Sequence, residues 1–310
     1  MTAIPARLSY MVVFVAVIGH ASSEFLSVLS GVRGPEVSVW RYTLGSLGLV
    51  MLALMHPATR DLLTPLREQP WRLTGLGLIG ITITYLAFHW SLDFATVVQV
   101  GTTVTTMPIF IGIINQLVNG ERLTPAKIIS GACAVTGIAV LLTDGYLALL
   151  AGSGKQLIGI GLALVCAAFG SAYAVLARPL INHYGAIRIT TITLSIGGIG
   201  LWLVVGMAWG KWINPGSILS LPATAAWSLL VLAIFNTTIT QILFFGGLAA
   251  APDITRAGYI FFLKPVIAAF LAFVFLSQPI TALQMAAILV VCGSVAGEVL
   301  ASRFFVRPAP

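Results

Sequence analysis

Ten apolar stretches, each about twenty residues long, take up nearly the whole of this 310-residue chain. A helix crossing a hydrocarbon layer ~30 Å thick needs about 20 apolar residues, and these stretches have that length. Their approximate limits are Ser9 to Leu29, Pro35 to Met55, Leu73 to Leu92, Val97 to Val118, Ala126 to Thr143, Leu157 to Ala177, Ile187 to Trp209, Ala225 to Leu248, Ile254 to Leu276 and Thr281 to Ala301. None shows the polar–apolar alternation of a membrane barrel strand. Each is therefore expected to be a helix that satisfies its own backbone inside lipid. Charged residues make up 8% of the chain, against about 25% in a soluble domain, too few to cover a water-soluble globule. The expected fold class is an all-α polytopic membrane protein with ten transmembrane helices.

The net charge of +7 does not point to nucleic acid, because the basic residues stand singly between apolar stretches. That distribution is a topology signal. If alternate connections lie on opposite sides, Arg7, Arg60, Arg67, Arg72, Arg122, Lys127, Arg178, Arg188, Arg256, Arg303 and Arg307 share one side with both termini. Only Arg33, Lys155 and Lys211 fall on the other. The positive-inside rule then predicts cytoplasmic termini. The first stretch is expected to be a retained helix, since no convincing small-residue cleavage site follows it. Cys133, Cys166 and Cys292 all lie in apolar stretches and are read as packing residues, outside any disulfide or zinc framework.

The chain also repeats itself. Laying Trp71 on Trp227 matches Leu73 with Leu229, Thr82-Ile83-Thr84 with Thr238-Ile239-Thr240, Phe88 with Phe244, Leu92 with Leu248 and Ala95 with Ala251. After a one-residue slip Pro108 falls on Pro265 and Thr124 on Thr281. An offset of five helices is odd, so the two halves cross the membrane in opposite directions. This is the inverted repeat of many secondary transporters, with expected halves at residues 1–150 and 151–310.

Ionisable groups at membrane depth are costly and need a partner, a cavity or a reason. Lys264 lies about ten residues into the ninth stretch, too deep for easy snorkelling, and precedes Pro265, which frees a carbonyl and tends to kink the helix. A cation beside a broken helix suits an anionic group; the plainer role is a structural lysine held by freed carbonyls. Its counterpart in the first half is Met107, so one central cation is expected, which matches a single carboxylate better than a phosphate. Tyr85, His89 and Asp93 recur every four residues on one face of the third helix, flanked by Phe88 and Trp90. His20 and Glu24 share that spacing on the first helix, beside Ser23. Glu24 and Arg41 should lie at similar depth, as an ion pair or as a proton-coupling site.

Thr102, Thr103, Thr105 and Thr106 precede Pro108, while Asn236, Thr237, Thr238, Thr240 and Gln241 lie on the eighth helix. Such groups either back-bond to the preceding turn or face a wet cavity. The candidate substrate-binding set is Lys264, Tyr85, His89, Tyr259, Gln241, Asn236, His20 and Trp90, with Pro108 and Pro265 as hinges. No zinc-ligand pair, nucleophile elbow, phosphate loop or dinucleotide fingerprint occurs. No enzyme activity and no cofactor or metal are expected, and the partners are a small-molecule substrate and the lipid bilayer.

Ten helices in two inverted halves, prolines in the fourth and ninth, Gly120-Glu121-Arg122-Leu123-Thr124 before the fifth, and the run Leu263-Lys264-Pro265 together resemble the EamA-type drug/metabolite transporter superfamily. Within it the chain is most similar to bacterial amino-acid exporters of the YddG type. The second half departs from the pattern, with Gln278 and Pro279 where a glutamate-containing copy of the signature is expected. The resemblance implies export of amino acids, aromatic and other neutral ones included, and of related metabolites across a bacterial inner membrane. The implied mechanism is alternating access around a central cavity. Lipophilic drugs, cations or nucleosides are the alternative cargo of the same superfamily; a channel or a membrane-embedded enzyme fits less well.

Overall fold

The computed structural model describes residues 4–146, 154–276 and 279–305, with the side chains of 24, 272, 275–276 and 299–305 left out of the description. Among the described residues the chain is helical, without strands. Nine helices are long and apolar enough to cross a bilayer: Ala6–Leu29, Pro35–Met55, Pro70–Ser91, Val97–Asn119, Pro125–Thr143, Gly154–Tyr184, Ala186–Trp209, Ala223–Ala250 and Ile254–Leu271. The tenth, Ala282–Phe305, is apolar from Ala282 to Glu298. They are numbered in this order below. The outward faces carry apolar side chains such as Met51, Leu117 and Leu289, the surface that lipid covers.

Local chemistry sets the helix starts. Thr96 and Gln99 form a capping box at the head of the fourth helix, and Thr124 Oγ1 accepts the Lys127 N–H at the head of the fifth. Thr281 and Gln284 cap the tenth helix reciprocally. The sixth helix runs well past its expected end at Ala177, keeping Pro179 inside it. There Arg178 reaches the carbonyls of Ala249 and Ala251 instead of ending the helix.

The contacts repeat across the two halves. The third helix packs on the sixth as the eighth packs on the first, and the second packs on the eighth as the seventh packs on the third. The fifth and tenth pair with each other, as do the second and seventh. The symmetry reaches individual atoms. Both the third and the eighth helix widen into π-helical segments, Leu76–Ile81 and Leu232–Ile239. In the first, Thr82 Oγ1 donates to Gly77 O at 3.3 Å and across to Gly197 O at 3.1 Å. In the second, Thr238 Oγ1 donates to Ala233 O at 3.1 Å and across to Gly45 O at 3.0 Å. A widened turn frees carbonyls, and the threonine hydroxyl occupies the gap while binding the neighbouring helix. Close approach is what these contacts require: a Cβ on Gly45 or Gly197 would fall 2.6 Å from Thr237 Cγ2 or 2.4 Å from Ile81 Cγ2.

The expected proline breaks are present. The fourth helix is interrupted by a turn before Met107–Asn119, which carries Pro108 near its start. The ninth passes through a 3₁₀ turn at Ile260–Leu263 and resumes as an α-helix at Lys264. Among the described residues nothing lies within 4 Å of a Cβ placed on Gly293 or Gly297, since this face of the tenth helix turns outward. Ser277 and Gln278 lie outside the described residues.

Candidate functional site

Seven helices from both halves converge on a central cavity of about 50 Å³. A water needs ~10–15 Å³ on this measure, so the space holds a few waters and no organic solute in this conformation. The third and eighth helices give matched walls: Thr84, Tyr85 and Phe88 from one, Gln241, Phe244 and Phe245 from the other. Tyr85 and Gln241 occupy the same repeat position, and Gln241 Nε2 donates to Tyr85 Oη at 2.6 Å. His20 and Ser23 come from the first helix, Met107 from the fourth, Cys166 from the sixth, and Phe261 and Lys264 from the ninth.

Lys264 is 6% exposed, with Nζ 5.5 Å from the centre of the Phe261 ring. It starts the helix after the 3₁₀ turn, one turn beyond Phe261 on the same face. The expectation of one central cation is corrected by Arg41, which lines the same cavity from the second helix and is 1% exposed. Its guanidinium lies 5.8 Å from the Tyr85 ring centre and 5.5 Å from that of Tyr42. Arg41 Nε donates to Thr237 Oγ1 at 2.9 Å, one terminal nitrogen to Ser23 Oγ at 2.7 Å, and the other to Asn236 O at 3.4 Å. The Glu24 side chain lies outside the described residues, so the expected Glu24–Arg41 pair has no geometry here. Among the described residues no Asp or Glu lines the cavity. Lys264 and Arg41 thus bring two cationic side chains to one cavity, each within 6 Å of an aromatic ring centre.

Two more expected residues belong to this wall. His20 stands edge-on to Phe244 and Phe261, with ring centres 4.9 and 5.7 Å away, and its Nε2 has no hydrogen-bond partner among the described residues. Gln241 is fully buried; its Nε2 takes the Tyr85 and Tyr42 hydroxyls, while its Oε1 is left without a donor.

Four others do not. Tyr259 turns away from the cavity, donates from its hydroxyl to Lys127 O at 2.5 Å and packs with Phe262 against the fifth and tenth helices. Asn236 is a tie between helices, donating from Nδ2 to Gly19 O at 2.5 Å and to Ser22 Oγ. Trp90 packs edge-to-face with Trp209 and Phe94 at the far end of the third helix. Trp90 is five residues past Tyr85 and leaves the cavity face, whereas Phe88, three residues past it, stays on that face. His89 lies one turn beyond Tyr85, where its Nδ1 is shared by Ser38 Oγ and Tyr85 O. It lines a second space of about 540 Å³ with Ser27, Arg33, Leu92 and Asp93, at the end of the bundle opposite the termini. The hydroxyls of Thr102, Thr103, Thr105 and Thr106 all back-bond to their own helix, the plainer of the two roles expected for them. Phe245, Phe261, Cys166 and Thr84 were missed; helical spacing from Lys264 reaches Phe261 and from Gln241 reaches Phe245, while no sequence signal singles out Cys166 or Thr84.

At the terminus-bearing end the path is closed by charge. Lys127 Nζ lies 2.6 Å from Asp253 Oδ2, joining the head of the fifth helix to the head of the ninth. Arg178 faces Glu121 at 3.7 Å, and Glu121 also accepts Asn115 Nδ2 at 2.8 Å. Arg256 Nε is 3.0 Å from Glu298 Oε2. Burial acts to raise the Asp253 carboxyl, but the Lys127 hydrogen bond, the Arg256 N–H and both positive charges outweigh it and hold the group below its ordinary value. Glu121, from the sequence signature, is thus part of a seal and lies away from the cavity. The molecule is closed at one end and carries a vestibule at the other.

A repeat-symmetric bundle of membrane-length helices around a small central cavity has the architecture of a membrane carrier. The chain belongs to the EamA-like transporter family, whose profile matches residues 7–143 and again 157–299. It is therefore a transporter and not an enzyme. An uncharacterized transporter of Archaeoglobus fulgidus is 22% identical over 217 residues, 68% of this chain and 70% of that protein. The uncharacterized transporter YvbV of Bacillus subtilis is 24% identical over 218 residues, 70% of this chain and 68% of its own. A solved crystal structure shares the fold at TM-score 0.79 and 18% identity, covering 97% of this chain and 99% of the other.

Proposed function

We propose that this transporter exports small carboxylate-bearing metabolites, amino acids among them, by alternating access. The observation that carries this reading is the pair of buried cations, Lys264 and Arg41, in one aromatic-walled cavity between the two halves. Residues 1–150 and 151–310 act as the two moving units, hinging where Pro108 and Pro265 interrupt the fourth and ninth helices. The solute carboxylate meets Lys264 and Arg41, and its apolar part rests on Phe88, Phe244 and Phe261. Opening the Lys127–Asp253 and Arg178–Glu121 contacts admits cargo from the side of the termini, which the basic residues assign to the cytoplasm of a cell bounded by this membrane. Two cations also argue against lipophilic cations as cargo, which they would repel.

The test is counterflow of labelled phenylalanine in proteoliposomes. Lys264→Met, matched in length and lacking charge, is expected to reduce counterflow to background while the protein still purifies as a folded species. Counterflow at wild-type rates in this variant refutes the carboxylate role.

A further inference from the structure

The reading above accounts for the cations of the cavity but leaves its unpaired acceptor unexplained. Gln241 is fully buried, and the Tyr85 and Tyr42 hydroxyls take up its amide nitrogen. Among the described residues its Oε1 has no donor. An unsatisfied buried carbonyl costs on the order of 1–3 kcal/mol, and native interiors rarely keep one. Both cations sit elsewhere on the wall: Arg41 spends its nitrogens on Ser23, Thr237 and Asn236, and Lys264 stands over Phe261.

A simple carboxylate or phosphate brings only acceptors, which leaves this oxygen as it is. A solute that satisfies the whole wall must carry a negative group for the cations and N–H donors for the amide. That combination is a zwitterion. Phe88 and Phe244 line the same cavity as Gln241, and aromatic walls of this kind attract an ammonium.

We propose that Gln241 Oε1 is the ammonium acceptor of the cavity, so that the protein selects 2-amino acids over carboxylates of the same shape that lack the amino group. The position is asymmetric by construction. Tyr85 and Gln241 are repeat counterparts, and the phenol holds the amide nitrogen so that the carbonyl is what remains for the solute. Selectivity for the amino group thus resides in one side chain of the second half, and this inference rests on the cavity being a carboxylate site.

The experiment is calorimetric titration of the purified full-length protein with phenylalanine and with 3-phenylpropanoate, which differ only in the amino group. The wild type is expected to bind phenylalanine at least about tenfold more tightly, one charge-assisted hydrogen bond's worth. Gln241→Met keeps the side-chain length and removes the acceptor; it is expected to lose the preference, with phenylalanine weakened more than 3-phenylpropanoate. Gln241→Glu keeps an acceptor oxygen and is expected to retain the preference. A wild type that binds both ligands equally overturns the inference and leaves the carboxylate reading standing. Equal weakening of both ligands by Gln241→Met, the signature of a merely structural role, also overturns it. So does loss of the preference in Gln241→Glu. If the wild type binds neither ligand, the carboxylate reading falls and this inference with it.

Discussion

The first helix meets the eighth most closely at Gly19, and this contact allows the packing to be tested quantitatively. A Cβ at Gly19 would lie 2.2 Å from Thr240 Oγ1, 3.1 Å from Thr240 Cγ2 and 3.2 Å from Thr240 Cβ. Non-bonded atoms are comfortable at about 3.5–4.0 Å, so Gly19→Ala forces the helices apart by ~1 Å. Thr240 is β-branched and stiff in a helix, so rotation offers little relief. The same residue's carbonyl accepts Asn236 Nδ2 at 2.5 Å, and separation stretches that bond as well. Overpacking of this kind costs about 1–3 kcal/mol, and strain on the bond adds up to ~1 kcal/mol. The gain in helix propensity from Gly to Ala, about 1 kcal/mol, offsets part of it. The net expectation is a loss of about 1–3 kcal/mol in equilibrium unfolding in bicelles. Thr240→Ala removes the two nearest obstructing atoms and leaves only Cβ, so the double variant is expected to recover at least half the loss. Gly170 is the repeat counterpart and supplies the control. Its nearest neighbours are the flexible tip of Met107 and Thr84 Cγ2, both at 3.2 Å, and Gly170→Ala is expected to stay within about 0.5 kcal/mol of wild type. A Gly19→Ala protein as stable as wild type, or one whose loss Thr240→Ala does not relieve, refutes the packing reasoning.

The two π-segment threonines give a second test. Thr82→Val and Thr238→Val keep shape and remove the hydroxyl, and each is expected to cost about 1 kcal/mol, the two adding when combined because they bridge separate helix pairs; denaturation midpoints measure this, and a strongly non-additive double variant contradicts it. The Lys127–Asp253 pair sets a pH dependence. Because the folded state lowers the Asp253 carboxyl, its contribution is fully present above the unfolded value of about 3.9 and is lost as pH falls through the depressed folded value. The stability gap between wild type and Asp253→Asn is thus expected to be flat from pH 5 to 8 and to close only in strong acid, read from melting temperatures across pH. A gap that changes near neutrality is inconsistent with this assignment.

The architecture was largely legible. Apolar length sets the number of helices, because lipid leaves no other place for such segments, and charge between them sets the expected side of each connection. The matched residues around Trp71 and Trp227 located the repeat, which the structure extends to the paired π segments and their threonines. The site was legible only in part. Lys264, Tyr85, Gln241 and His20 were identifiable because a polar group deep in an apolar run is costly enough to require a purpose. Tyr259, Asn236 and Trp90 satisfied the same criterion, yet their partners lie on other helices: Lys127 O, Gly19 O and Trp209.

By itself the sequence determined what a single helix can decide: where the chain enters and leaves lipid, where proline interrupts it, and which cations must be accounted for. Tertiary structure alone decided which of those groups share a space. The entry of Arg41 into the cavity with Lys264, the pairing of Tyr85 with Gln241 across the two halves, and the place of Glu121 in a seal all depend on how helices rotate about their axes when they pack. That rotation is set by close contacts such as Gly45 with Thr237 and Gly197 with Ile81. In a chain where nearly every face is apolar, hydrophobic patterning leaves it undetermined.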